Sequence, residues 1–151
     1  MNNLRLDAFL PYRLSFTSNL VSDAIARSYQ ALFGLSVPEW RLIAVIAEHQ
    51  GIAQAAIGAR TRMDKVTVSR AAIALSTRAL IERRENPLDR RSHLLVLSSA
   101  GRTLYGDVAP KALELEAQIF AGFTPAELTN LTATLARIDW AVLSAARDRP
   151  A

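Results

Sequence analysis

The stretch ENPLDRRSH, residues Glu85 to His93, sets one carboxylate and two guanidiniums side by side at Asp89, Arg90 and Arg91. Asn86-Pro87 is a turn signal, and the flanking segments LIERRE and HLLVLS read as strands, so these charges belong at the tip of an exposed hairpin. Arginine suits the minor groove of DNA, whose potential is negative and strongest where the groove is narrow. A flexible guanidinium loses rotamer freedom when it binds, so orienting it beforehand helps. On this reading a bidentate pair with Asp89 orients Arg91 for the groove, while Arg90 contacts phosphate or shares the task.

A second constellation lies upstream in DKVTVSRAAIALSTRAL. Val68, Ala72, Leu75 and Ala79 recur at helical steps and define a buried face. Val66, Arg70, Ile73 and Thr77 fall opposite, with Lys65, Thr67 and Ser69 on the flanks of the first two turns. Lys65 and Arg70 can donate to guanine O6 and N7. The hydroxyls of Thr67 and Ser69 can serve bases or phosphates, and the methyls of Val66 can meet a thymine methyl. Charge supports the pairing of these two segments. Arg60 to Arg91 holds nine basic residues against four acidic ones, a net +5 in a chain whose total is +4, so the remainder carries −1. Basic charge localised in this way points to a polyanion, most simply nucleic acid.

The surrounding elements must hold both segments in place. Apolar spacing predicts a helix over residues 9–33, with Pro11 in its first turn and Gly34 at its end. Ser36 followed by Glu39 forms a capping box for a second helix over about 37–49, closed by Gly51. A short helix over about 53–59 leads through RTRM to the longer one, from 64 to about 80, with Asp64 or Thr61 as its cap. Strands at 81–85 and 93–98 follow. Ser98 or Ser99 caps a long helix through Phe120, with a kink or break near 106–110 because of Pro110. Thr124-Pro125-Ala126-Glu127 starts a last helix that runs to about 147.

Helix, short helix, tight turn, longer helix, hairpin is the order of a winged helix-turn-helix, in which the second helix of the pair enters the major groove. The expected fold is therefore mainly α with a small β-hairpin wing. Residues 36–98 would form the DNA-binding domain, and 1–35 plus 99–151 a helical dimerisation region. Both terminal helices are long and rich in apolar residues, more than one chain of this size needs, which suggests subunits sharing a core.

Other classes find little support. The chain has no cysteine, so disulfides and thiolate chemistry are absent. Only two histidines occur, His49 and His93, so no metal site is expected. No phosphate-binding glycine loop, HExxH or GxSxG is present; no catalytic residue and no cofactor are expected, and the protein is read as a non-enzyme. No run of 18 uninterrupted apolar residues occurs, and the N-terminus lacks the apolar core of a signal peptide, so the expectation is a cytoplasmic protein that does not engage membranes. The rival reading is a winged-helix protein-interaction module that never touches DNA.

From VPEWRLIAVIAE through MDKVTVSRAAIAL to ENPLDRRSHLLVLSSAG, the sequence resembles the MarR family (multiple antibiotic resistance regulators). That family carries an Asp-x-Arg wing followed by a Leu-Thr-x-x-Gly element. Here these are Asp89-Arg90-Arg91 and Leu97-Ser98-Ser99-Ala100-Gly101. The resemblance implies a homodimeric regulator, a repressor by preference, that reads a pseudo-palindromic stretch of double-stranded DNA. It also implies release by a small aromatic carboxylate, a phenolic or an aryl-CoA effector. Tyr12, Arg13 and Phe16 on the first helix, with Trp40 and Arg41 on the second, are the candidates to line one effector pocket. One departure bears on the backbone. Ala79-Leu80 stands where family members commonly have Gly-Leu, and a left-handed alanine there costs about 1 kcal/mol, so a differently shaped helix end is expected.

Overall fold

The computed structural model describes residues 3–148. A single 3-10 turn, Leu6–Ala8, leads into helix α1 (Leu10–Phe33), followed by α2 (Val37–Ala47), β1 (Ile52–Ala53), α3 (Gln54–Thr61) and α4 (Lys65–Thr77). The wing strands are β2 (Ile81–Glu85) and β3 (His93–Leu97). Helices α5 (Ser99–Ile119) and α6 (Pro125–Arg147) complete the chain. Two compact units are formed, one reaching Ala112 and the other starting at Leu113.

The helix starts follow their capping residues. The Ser36 hydroxyl accepts the Glu39 N–H at 3.3 Å, which satisfies one orphan donor of α2 and contributes about 1 kcal/mol. The reciprocal arm of the expected box takes another form: the same hydroxyl donates to the Glu39 carboxylate at 3.0 Å. Asp64 caps α4 through the Thr67 N–H at 2.8 Å, and Thr124 with Glu127 closes a complete capping box on α6. Gly34 ends α1 in the left-handed conformation, φ 62°, with its N–H on the Gln30 carbonyl.

The first unit is built around Leu35, Leu42, Ile43, Ile46, Ile57, Leu75, Leu95 and Val108, all essentially inaccessible to solvent. Burying each such side chain contributes about 1.5–3 kcal/mol. The sheet has three strands in the order β1-β3-β2, all antiparallel, with Ile52 opposite Leu95 and Arg83 opposite Leu95 on the other side. The sequence predicts only the two wing strands. A two-residue strand has no periodicity to read, and its partner β3 lies some forty positions away.

The junction between α4 and the wing explains three residues at once. Ala79 adopts φ 56°, the left-handed conformation that glycine takes more cheaply. The Ala79 N–H reaches the Ser76 carbonyl and the Leu80 N–H reaches the Leu75 carbonyl, both at 2.9 Å, the two bonds of a Schellman end. The expectation of a differently shaped end is therefore corrected: these bonds and the burial of Leu75 and Leu80 impose the left-handed turn on alanine. Ser98 then ties the junction to α5. Its hydroxyl donates to the Ala79 carbonyl at 2.7 Å and accepts the Gly101 N–H at 3.0 Å, while its own N–H donates to the Leu80 carbonyl at 3.1 Å. A Cβ on Gly101 would overlap the Leu80 carbonyl oxygen, so only glycine fits.

Helix α5 runs through Pro110 without the break that the proline suggests. Pro110 removes the donor that the Gly106 carbonyl would use, but both residues are exposed, so water can serve that carbonyl.

The two terminal helices keep large apolar side chains in solvent. On α1 these include Leu10, Leu14, Phe16, Leu20 and Leu32; α6 has no buried residue among those described and exposes Leu131, Leu135, Trp140, Val142 and Leu143. Among the described residues no single helix is long and apolar enough to cross a membrane.

Candidate nucleic-acid interface

Helix α4 packs inward through Val68, Ala71, Ala72 and Leu75 and turns its opposite face outward. Lys65, Val66 and Arg70 are exposed; Thr67 and Ser69 are half-buried on its flanks. Val66 and Ile73 keep 57% and 56% of their surface in solvent and lie together on this outward face. The Thr67 hydroxyl donates to the second Asp64 oxygen at 2.8 Å, so its proton belongs to the helix cap and its lone pairs remain for a partner. Hydrogen bonds from the Thr67 N–H and hydroxyl hold the Asp64 carboxyl below its ordinary pKa. The tight turn before α4 uses Arg62 in a left-handed conformation, φ 58°, and the Thr61 hydroxyl, which donates to the Ile57 carbonyl at 2.8 Å and accepts the Met63 N–H at 3.3 Å.

The wing tip is ordered by its own short polar side chains. The Asn86 side-chain oxygen accepts the Leu88 N–H at 3.1 Å, and its amide donates to the Ser92 hydroxyl at 2.9 Å. Asp89 accepts the Arg91 backbone N–H at 3.0 Å. The expected bidentate pair between Asp89 and the Arg91 guanidinium does not form. With a single residue between them the carboxylate closes an Asx turn on the Arg91 backbone, and both Arg90 and Arg91 project into solvent.

The basic segment divides by role. The Arg78 guanidinium donates to the Gly34 and Phe33 carbonyls at 3.1 and 3.2 Å, so it caps the C-terminal, negative end of α1. Arg60 faces Glu48 at 3.8 Å. Arg62, Lys65, Arg70, Arg83, Arg84, Arg90 and Arg91 are all exposed, and among the described residues none of them forms an ion pair.

The five effector candidates do not converge on one pocket within the first unit. Tyr12 and Phe16 meet at 5.9 Å between ring centroids, and the Arg13 guanidinium lies 5.4 Å from the Phe16 ring. Trp40 instead packs edge-on against Tyr29 at 5.7 Å and stacks on Tyr105 at 5.8 Å. Tyr12 and Tyr29 are seventeen positions apart on one helix, about 25 Å along its axis, which separates the two groups. Arg41 is exposed. Burial pushes the Tyr29 phenol above its ordinary pKa, so it is neutral.

A cleft of about 590 Å³ opens beside Tyr105, between the end of α2, the wing strands and α5. Its polar lining is His49, Gln50, Arg84, Arg102 and Tyr105, over apolar walls that include Ile46 and Val96. The His49 Nδ1 lies 2.7 Å from the Val45 carbonyl, which calls for a proton on Nδ1 and leaves Nε2 as the acceptor in the neutral ring. Arg102 spans the Leu97 carbonyl at 2.9 Å and the Ser99 hydroxyl at 3.3 Å. Two guanidiniums and no carboxylate suit an anionic ligand. Nothing local in the sequence marks this cleft, because its residues come together only when α2, β2, β3 and α5 pack.

The helix pair, the exposed face of its second helix and the arginine-tipped hairpin define a winged helix-turn-helix protein. Residues 33–92 match the model of the MarR family. A MarR/EmrR family transcriptional regulator from Acinetobacter sp. ADP1 is 25% identical over 93% of this chain and 99% of its own, with a TM-score of 0.86. A probable transcriptional regulator from Pseudomonas aeruginosa is 28% identical over 89% of this chain and 99% of its own, TM-score 0.80. CouR from Rhodococcus jostii RHA1, solved with p-coumaroyl-CoA bound, shares the fold at 23% identity, TM-score 0.79, over 90% of this chain and 95% of its own. No curated protein is close enough in sequence to match. The chain has the winged-helix fold of these transcriptional regulators, and its match to the MarR family spans residues 33–92.

Proposed function

We propose that two copies of this chain form a cytoplasmic DNA-binding repressor that reads a pseudo-palindromic site. Residues 36–98 form the reading domain, and the terminal regions 1–35 and 99–151 form the dimerisation region. The observation that carries the reading is the outward face of α4, where Lys65, Val66 and Arg70 stand exposed on a helix whose other face is locked into the core. In the major groove Arg70 and Lys65 donate to base edges or phosphates, Val66 meets a thymine methyl, and Thr67 and Ser69 bind the phosphates alongside. The wing places Arg90 and Arg91 against the neighbouring minor groove, with Asp89 fixing the backbone from which they extend. Two such units need their reading helices one DNA turn apart, about 34 Å. The exposed apolar side chains of α1 and α6 supply the shared core that holds them there.

The effector reading moves with the geometry. A small aromatic carboxylate, phenolic or aryl-CoA ligand fits the cleft of Arg84, Arg102, His49 and Tyr105 better than the divided set Tyr12, Arg13, Phe16, Trp40 and Arg41. That CouR shares the fold and was solved with p-coumaroyl-CoA bound supports the ligand class. The cleft touches α2, both wing strands and α5, so a ligand wedged there favours one placement of the wing over another. A hundredfold loss of DNA affinity needs about 2.7 kcal/mol of differential binding.

The test is selection of duplexes from a random-sequence pool, followed by footprinting and by titration of Arg70→Ala. The expected result is two protected half-sites one turn apart, with Arg70→Ala weaker by about 1–3 kcal/mol and indifferent to one base pair in each half-site. Recovery of no preferred sequence, or a variant that loses only stability, contradicts the reading.

A further inference from the structure

Leu88 sits at the very tip of the wing with 95% of its surface in solvent, the most exposed of the large apolar residues described. Its neighbourhood is not loose. Its own N–H is fixed by the Asn86 side chain at 3.1 Å, the Asp89 N–H reaches the Asn86 carbonyl at 3.3 Å, and the Asn86–Ser92 side-chain bond closes the base of the tip. A turn built this way holds one projecting side chain in place, and that side chain is a leucine rather than the polar residue a solvated turn favours. Arg90 and Arg91, both exposed, follow it within three positions.

Resting on the DNA-reading function proposed above, we propose that Leu88 is a minor-groove contact, an apolar tip that packs between the deoxyribose walls beside the arginines. The walls of the minor groove are the C–H faces of sugars, so a branched aliphatic side chain gains most where the groove is narrow and both walls are within reach. Arginine attraction and leucine packing favour the same narrow groove. Leu88 thereby makes the wing a reader of groove shape, with sequence selected at base pairs it never hydrogen-bonds. The fixed turn lowers the entropy lost on insertion.

The test uses a duplex recovered by the wild-type protein from a random pool, with each adenine in the wing-protected flank replaced in turn by 2,6-diaminopurine. That base adds an amino group in the minor groove and leaves the major-groove edge intact. Wild type, Leu88→Ser, Leu88→Met and Arg91→Ala are titrated against each duplex. The expected result is a loss of about tenfold for Leu88→Ser on the parent duplex, with most of the loss recovered by Leu88→Met. At one flank position the added amino group weakens the wild type several-fold and leaves Leu88→Ser unchanged, whereas Arg91→Ala still responds. Leu88→Ser binding as tightly as wild type, or equal sensitivity of both proteins at every flank position, overturns the proposal while leaving DNA reading intact. A wild-type protein that recovers no duplex overturns both.

Discussion

Asp89 holds Arg91 by its backbone, not by its charge: the carboxylate accepts the Arg91 N–H at 3.0 Å and leaves the guanidinium free. Asparagine carries an oxygen in the same place and closes the same turn. Asp89→Asn is therefore expected to bind DNA at least as tightly as wild type, since it also removes a negative charge facing phosphates. Asp89→Ala is expected to bind more weakly because the tip loses its Asx turn. Anisotropy titrations check both, and an Asn variant as impaired as the Ala variant would restore the ion-pair role.

The α4–wing junction gives opposite outcomes for two small changes. Ala79→Gly relieves a left-handed alanine and is expected to stabilise the fold by about 1 kcal/mol, a rise in Tm of about 2–4 °C. Gly101→Ala drives a methyl into the Leu80 carbonyl and is expected to cost about 1–3 kcal/mol or more. Thermal unfolding followed by circular dichroism decides both signs.

The cap on α4 makes its stability depend on acid. Bonds from Thr67 lower the Asp64 pKa in the folded state, so the carboxylate form is the one the fold favours. Its contribution is complete above the ordinary Asp range near 3.8 and is lost as pH falls through the lowered folded value. Asp64→Ala is expected to lower Tm at neutral pH, with the gap to wild type closing in strong acid. A gap that stays constant with pH would show that the cap acts without its charge.

Leu135 and Leu143 are half-exposed on α6. Replacing both with aspartate is expected to convert a dimer into monomers, because two charges cannot enter a shared apolar interface without large desolvation costs. Sedimentation velocity checks this, and a dimer that survives would place the interface elsewhere.

The sequence showed most clearly those parts whose causes are local. Ser36, Asp64 and Thr124 each cap the helix they announce, and Asn86-Pro87 marks the hairpin because its turn is made by neighbouring residues. Strand β1 was hidden, since Ile52 and Ala53 become a strand only by pairing with Leu95 and Leu94. The cleft was hidden for the same reason: His49, Arg84 and Arg102 meet through packing, not through spacing. The reading of Asp89 failed on short-range geometry, because two charges that look like an ion pair in sequence are close enough for the backbone to take the bond first. The exposure of Val66 and Ile73 follows from the period of α4, which the sequence shows directly.

The central claim is tested most directly by the salt dependence of binding to a duplex recovered from a random pool, compared between wild type, Lys65→Ala and Arg91→Ala. The account predicts that wild-type affinity falls steeply, by on the order of 10³-fold between about 50 and 200 mM salt. It also predicts that each variant, by removing one cation from the DNA surface, has a slope about one unit shallower. Affinity that ignores salt, or slopes unchanged by either substitution, would contradict it, and a pool that yields no duplex would leave a winged-helix module that binds protein instead.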